Sequence, residues 1–399
     1  MEKSNLINTI GTYGIENKCC GCTACFNICP AKAIDMVPNQ KGFYIPNINL
    51  SKCISCNLCS NVCQINNTPL GHAPSEKYAV VNYDTDIRMK SSSGGLFWLL
   101  LTSMFEHYGK NFHCFGVKLD NNLTAVYTRA DSLEECTDFR GSKYVQSDLG
   151  NTFTQISELL IQGHAVMFVG AGCQCAGLKK YIKAKKIPDD QLFIVDIICH
   201  GMPSNKMWKS YISEIEKRAG CKLVTYQFRN KHAGWRGQHP YAVFENGVVA
   251  ENDKLFLSYG KLFGNLSLNT TCYSCKYANI ERIGDITMGD YWGIEKSTCT
   301  FDDGHGVSVC LINTQKGQNL FSNVQSKAKT YRIEDDSYLQ PQLCSPTKKN
   351  ILCEKFWRDY NAKGYLYVAN KYAGHSKIYR IAMKALATME YALKRKKHE

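Results

Sequence analysis

Eight cysteines near the N-terminus fall into two runs of one spacing, Cys19-x-x-Cys22-x-x-Cys25-x-x-x-Cys29-Pro30 and Cys53-x-x-Cys56-x-x-Cys59-x-x-x-Cys63. The second repeats the first, cysteine for cysteine, at an offset of 34 residues. Four thiols at such compressed spacing form the ligand set of a 4Fe-4S cluster. Zinc sites join two Cys-x-x-Cys knuckles across a longer gap, and disulfide frameworks belong to oxidising compartments. The first chemistry in this chain is therefore one-electron redox chemistry. The two runs differ at one point: Gln64 stands where the first run has Pro30.

The spacing is that of a bacterial ferredoxin with two 4Fe-4S clusters. There the first three thiolates wrap one cluster and the fourth reaches the other. Cys19, Cys22, Cys25 and Cys63 are expected on one cluster, and Cys53, Cys56, Cys59 and Cys29 on the second. Ala33–Met36 and Gly42–Ile45 read as a small hairpin between the runs. Asn66–Ser75, with Pro69, Gly71 and Pro74, reads as a linker.

Two loops further on suit a phosphate-bearing group. Ser91-Ser92-Ser93-Gly94-Gly95 opens a helix over Leu96–Tyr108, and Arg140-Gly141-Ser142-Lys143 precedes a helix over Leu149–Gln162. Backbone N–H groups at a helix start and nearby cations favour anions, although the same serines and glycines also serve as plain caps. Next come two apolar strands, Ala165–Gly170 and Leu192–Ile198, flanking a helix that starts near Gly172. A strand-helix-strand unit makes the strands parallel, so Cys173 and Cys199, each just beyond its strand, share one rim of the sheet. Cys272-x-x-Cys275 would complete a set of four thiols. Zinc and a third 4Fe-4S cluster both accept four thiolates. Cys175 competes with Cys173 as a ligand, and buried packing is the alternative for both.

The chain has 399 residues, enough for two or three domains, with 21 cysteines and a formal charge of +13. Each four-thiolate cluster carries roughly −2, which would bring the loaded protein to about +7 to +9. No nucleic-acid module accompanies the basic excess. No apolar run reaches signal or membrane-span length, so a reducing cytoplasm is the expected location. A basic amphipathic helix is expected over Ser376–Lys397, packed on its own domain or lying on a membrane or partner.

Taken jointly, the motifs resemble the beta subunits of coenzyme F420 hydrogenases and formate dehydrogenases. The shared residues are Ser92-Ser93-Gly94-Gly95, Arg140–Tyr144, Phe168-Val169-Gly170-x-x-Cys173-Gln174, Cys199-His200-Gly201-x-Pro203-Ser204, Phe228-Arg229-x-Lys231 with Gly234-Trp235, Cys272-x-x-Cys275 and Gly284–Gly293. The family position that usually reads Gly-Thr-Pro-Cys is Gly170-Ala171-Gly172-Cys173 here. The resemblance implies an FAD-dependent iron-sulfur oxidoreductase with a third 4Fe-4S cluster on Cys173, Cys199, Cys272 and Cys275. Similar bacterial proteins occur among surface-polysaccharide biosynthesis genes.

The expected fold is α+β and α/β: a ferredoxin-type double 4Fe-4S module over 1–70, the first part of a mixed α/β flavin-binding core over 76–162, its α/β continuation with the third cluster over 163–340, and a helical basic tail over 341–399. FAD is expected against Ser93, Gly94, Gly95, Arg140, Ser142 and Lys143, and His200 is the expected proton donor. The loop Phe228–Trp235, with Arg229, Lys231, His232 and Arg236, would receive an anionic small-molecule substrate. A ferredoxin-like donor or other redox partner protein would supply or take electrons. Two alternatives remain at this level: a non-catalytic electron-transfer subunit of a larger complex, and a metal-bearing scaffold recruited by the C-terminal helix.

Overall fold

The computed structural model describes residues 18–373 except Gln238 and Glu251. The cysteine-rich head folds as two matching halves. Each half has a short helix, α1 (Ala24–Ile28) or α2 (Leu58–Val62), and the fourth cysteine of each run, Cys29 or Cys63, caps its end. Left-handed residues, Thr23 (φ 59°) and Asn57 (φ 63°), turn each thiol loop into its helix. Five-residue helices do not persist alone; these two pack on each other and on a helix of the main body. Between the halves lies an antiparallel hairpin, β1 (Ile34–Pro38) with β2 (Tyr44–Ile48), Ile34 facing Ile48.

The body is one eight-stranded sheet in the order β12-β3-β11-β10-β7-β6-β4-β5. Its strands are β3 (Glu76–Asn82), β4 (Phe112–Leu119), β5 (Ala125–Ala130), β6 (Ala165–Ala171), β7 (Leu192–Ile197), β10 (Ile286–Asp290), β11 (Ser308–Ile312) and β12 (Ala328–Arg332). The four central strands β10, β7, β6 and β4 run parallel. β6 and β7 are neighbours joined by helix α6 (Gly172–Lys185), as their apolar runs predict. Strands from both 76–162 and 163–340 interleave in this sheet, so the boundary expected at 162/163 passes through a single hydrophobic layer rather than between domains.

Helices cover both faces. Leu96–Met104 of helix α4 (Leu96–Tyr108) packs on one face with Leu320, Phe321 and Val324 of helix α9 (Gln315–Gln325). On the other face, α6 and helix α5 (Thr152–Ile161) share a core with Ala24, Ile28 and Val62 of the head. The head is thus built into the body. Its expected linker is also tied down: His72 and Arg282 exchange two backbone hydrogen bonds at 2.8 Å.

A third cluster of apolar side chains, rich in aromatics, holds Trp208, Tyr211, Tyr226, Tyr259 and Tyr365. It joins helix α7 (Asn205–Ala219), α8 (Ser258–Phe263) and α11 (Cys353–Tyr372) to hairpin β8 (Leu223–Gln227)–β9 (Tyr241–Phe244). β9 also turns back on Val248–Ala250: Val243 faces Val249, and the amides of Phe244 and Ala250 donate to the carbonyls of Val248 and Ala242 at 3.0 Å. α11 brings the start of the expected tail into this core. The amphipathic helix expected over 376–397 lies outside the described residues. Among the described residues no helix is long and apolar enough to cross a membrane.

Candidate redox site

The two halves of the head enclose two separate cavities, each walled by four of the expected thiols. Cys19, Cys22, Cys25 and Cys63 line the inner one, together with Cys20 and Gln64. Cys29, Cys53, Cys56 and Cys59 line the outer one, together with Ile34, Ile48, Ile54 and Leu58. The fourth cysteine of each run crosses to the other set, as the spacing predicts. Among the described residues no three His, Cys, Asp or Glu side chains gather tightly enough to hold a single metal ion. A tetrahedral zinc site would bring its sulfurs to about 3.8 Å of one another, given Zn–S bonds of about 2.3 Å. Four thiols around each cavity make up the donor set of a 4Fe-4S cluster. Burial pushes the Cys19 thiol up to about 12, and neighbouring Cys22 and Cys63 add to the rise. Thiols crowded in this way become thiolates together only when a cation joins them. Backbone amides already point at two of the sulfurs, Gly21 at Cys19 and Ala33 at Cys29, both at 3.3 Å.

A third set of thiols forms at the rim of the sheet. Cys173 lies in the first turn of α6, directly after β6, and Cys199 lies two residues after β7. Cys272 and Cys275 come from a turn over Thr270–Ser274 and the residue after it. The charges acting on Cys173 are those of Cys275, Cys199 and Cys272, which places the four together. Burial pushes the Cys199 thiol up to about 11, with Cys275 adding. Cys175 turns away from this set, with its thiol directed to the Gly170 carbonyl. The Arg282 guanidinium, 2% exposed, sits beside the set. It pairs with Asp196 at 3.0 Å, donates to the carbonyls of Tyr277 and Ile197, and its charge favours the thiolates of Cys199 and Cys275.

Next to these thiols a cavity of about 290 Å³ opens above the C-terminal ends of β6, β7 and β10. Gly170, Ala171, Gln174, Cys199, Met288 and Gly289 form one wall. Ser91–Ser93, Gly95 and Arg140–Val145 form the other. The two expected loops meet there: the Ser142 amide donates to the Ser92 hydroxyl at 2.9 Å. Arg140 lies over the Trp98 ring at 4.5 Å. Lys143 donates to the Asp138 and Arg140 carbonyls at 2.6 and 2.9 Å, and burial pulls its pKa down to about 7.

Of the six residues expected around FAD, Gly94 alone does not line the cavity. Its amide donates to Ser308 at 2.9 Å, and a Cβ there would come within 2.2 Å of the Val80 carbonyl. That glycine is needed for close packing of the turn on β3 and β11, and its N–H is not free for a phosphate. Gly95, at φ 89°, provides the left-handed entry to α4.

Two further expectations meet side chains that are already engaged. His200 lines the cavity, but Nε2 hydrogen-bonds the Gly264 carbonyl and Nδ1 accepts from Gln342 at 3.1 Å. The ring braces the loop after β7, and neither nitrogen is free to give a proton to a ligand. The basic loop is likewise consumed internally. Arg229 pairs with Asp290 and lies over Trp292, while Arg236 pairs with Asp302 and Glu295. Lys231 is buried and donates to the carbonyls of Arg88, Ser93 and His305. Its three acceptors favour the charged form, although burial, with Arg88 adding, draws its pKa down to about 7. Arg229 and Lys231 hold the walls of the cavity in place instead of facing an anionic substrate, and the half-exposed Arg236 is paired outside it.

Several further residues complete the site, and of these Tyr127, Ser147, Cys20 and Tyr277 carry no sequence signal of their own. Tyr127 donates to Gln174 at 2.9 Å, and Gln174 donates to Ser147 at 2.9 Å, which fixes the floor of the cavity. Asp290 lines it at the end of β10. Cys20, Gln64 and Tyr277 lie between the inner thiols and the rim set.

Two family models match parts of this sequence. Residues 163–336 match the family described as the C terminus of the coenzyme F420 hydrogenase/dehydrogenase beta subunit. Residues 18–67 match the family described as a 4Fe-4S dicluster domain. A chain from a xenon-derivatised structure of the F420-reducing nickel-iron hydrogenase complex of Methanosarcina barkeri is similar over 76% of this chain and 93% of that chain, at 18% identity and a TM-score of 0.46. No curated protein matches the sequence.

Proposed function

From a chain that joins a 4Fe-4S dicluster domain to a coenzyme F420 hydrogenase/dehydrogenase beta-subunit domain, we propose an iron-sulfur flavoprotein that passes electrons between its clusters and an FAD held in the rim cavity. Its ligand sets are Cys19, Cys22, Cys25 and Cys63; Cys29, Cys53, Cys56 and Cys59; and Cys173, Cys199, Cys272 and Cys275. The observation that carries the reading is the position of Cys199, which belongs to the rim thiols and is also part of the cavity wall. A group in that cavity lies against a member of the third thiol set. Bound flavin would exchange single electrons with clusters and a hydride with an organic substrate.

The chain's own residues supply position and environment. Ser93, Gly95, Arg140 and Ser142 line the polar side, where the phosphates of FAD would lie. Phe97, Tyr127 and Tyr144 also line the cavity and offer flat apolar surface for the ring system. Lys231 and Arg88 anchor the Ser91–Gly95 turn to the loop around Gly306, so the turn keeps its shape. Anaerobically purified protein should show a flavin absorbance and about 12 iron atoms per chain. About eight iron atoms would remove the third cluster, and absence of bound or titratable flavin would remove the FAD reading.

Exposure at the outer thiols favours a protein as the electron partner. Cys56 is exposed, and Ile54 and Leu58 beside it are 66% and 38% exposed. Whether the chain turns over a small substrate itself or serves a larger assembly is read by adding FAD and an artificial electron donor to the isolated protein.

A further inference from the structure

Gln64 follows Cys63, at the position where the first run has a proline after Cys29. It is 3% exposed, and its side-chain amide touches both the inner thiols and the rim set. Nε2 donates to the Cys20 sulfur at 3.0 Å and to the Cys173 carbonyl at 2.7 Å. Oε1 accepts from the hydroxyl of Tyr277, two residues after Cys275. The same amide faces the Cys22 sulfur. Proline at this point would supply none of these contacts.

Cys20 fills the space between the two sets, with its thiol in contact with both Cys22 and Cys173. Each set already has four thiols, so Cys20 is surplus as a ligand. The close approach is also enforced from the backbone. α6, whose second residue is Cys173, presses Gly177 so near the inner thiols that a Cβ there would lie 2.8 Å from the Cys22 Cβ and 2.9 Å from its sulfur.

We propose that Gln64 is a positioning residue that clamps the inner ferredoxin cluster to the rim cluster, making the Cys22–Cys20–Cys173 contact the place where electrons cross between head and body. This rests on the three-cluster reading above. Clusters held by Cys19, Cys22, Cys25 and Cys63 and by Cys173, Cys199, Cys272 and Cys275 would supply transfer of one electron across this contact, from a reduced inner set to an oxidised rim set, with no bond changed and no proton moved. Gln64 acts on it in two ways. It sets the separation of the two centres; its N–H toward the Cys20 and Cys22 sulfurs would stabilise the more negative reduced state of the inner cluster, and its N–H on the Cys173 carbonyl places a positive dipole beside the rim set.

The test uses the full-length holoprotein, purified anaerobically, in the variants Gln64→Leu, Tyr277→Phe and Cys20→Ser. Iron is counted, and each cluster's midpoint is read by a dithionite titration followed by electron paramagnetic resonance. Gln64→Leu should keep all the iron and lower the midpoints of the inner and rim clusters, leaving the outer one in place. The expected fall is about tenfold in the reduction equilibrium, or 59 mV for a one-electron couple. The magnetic coupling between those two centres should weaken. Tyr277→Phe, which removes one hydroxyl, should shift the same two centres by less and serves if Gln64→Leu does not fold. Unchanged midpoints and coupling in a folded variant would overturn the clamp. Loss of about four iron atoms from Cys20→Ser would make Cys20 a ligand and overturn its place as a bridge. A wild-type count of about eight iron atoms would instead defeat the three-cluster reading on which the clamp depends.

Discussion

The two halves of the head share one cysteine spacing and end in opposite environments. Around the inner set of thiols Cys19 and Cys20 are buried, α6 presses on Cys22, and Gln64, arriving from the second run with Cys63, reaches into the body. In the outer half Cys56 is exposed, and Ile54 and Leu58 face solvent. The spacing decides that each half can hold a cluster. The surroundings decide what each cluster meets, and so give the repeat a direction: outer set, inner set, rim set, cavity. Burial and hydrogen bonding to sulfur also move cluster potentials, so two centres with one ligand pattern should differ in midpoint.

The largest test of this contrast replaces one ligand on each side. Cys56→Ser should cost about four iron atoms and leave the other centres intact. Cys22→Ser should cost more than four, because the inner set shares its core with α6 and its loss loosens Cys173. Equal losses, by iron and sulfide count, would erase the distinction. An intermediate effect is expected from Gly177→Ala. The added methyl meets Cys22 at 2.8 Å, and overpacking of this kind costs about 1–3 kcal/mol. The loss should appear as a lower melting temperature with a broadened inner-cluster signal and an unchanged outer one. The smallest effect on the fold is expected from Ile54→Ala with Leu58→Ala. Exposed positions of this kind change stability by only about 0.5 kcal/mol. Reduction by a protein donor should slow while reduction by dithionite does not; a parallel slowing of both would show that the outer face is not a docking surface.

How much of this could be read from sequence follows from how local each signal is. The eight head thiols are legible because a loop of fixed spacing presents them to one point. Cys173 and Cys199 are legible because both follow apolar strands of one strand-helix-strand unit, and such strands end on the same side. Cys175, two residues from Cys173, was separable only once α6 gave each residue of its first turn a direction. The basic loop misled because charge composition does not show that Asp290, Asp302 and three carbonyls stand ready to engage Arg229, Arg236 and Lys231. Gly94 is similar: its neighbours in sequence suggest an anion cradle, but its partner Ser308 comes from β11, far along the chain. Cys20 and Tyr277 carry no signal in any local pattern, and Gln64 shows only as a departure from the proline of the first run, because the relation of the three exists only where head and body touch.

One feature of the fold bears on how the protein is made. Ala24, Ile28 and Val62 of the head complete the same hydrophobic layer as Phe153, Phe168 and Leu178. The helices that bring them are each only five residues long, too short to form before something holds their ends. Iron is the group that would hold them. Until clusters are inserted, that side of the sheet should stay uncovered, so iron supply would govern the solubility of the newly made chain as well as its redox activity. Cells starved of iron should accumulate this protein as an aggregation-prone intermediate rather than as a folded, empty form.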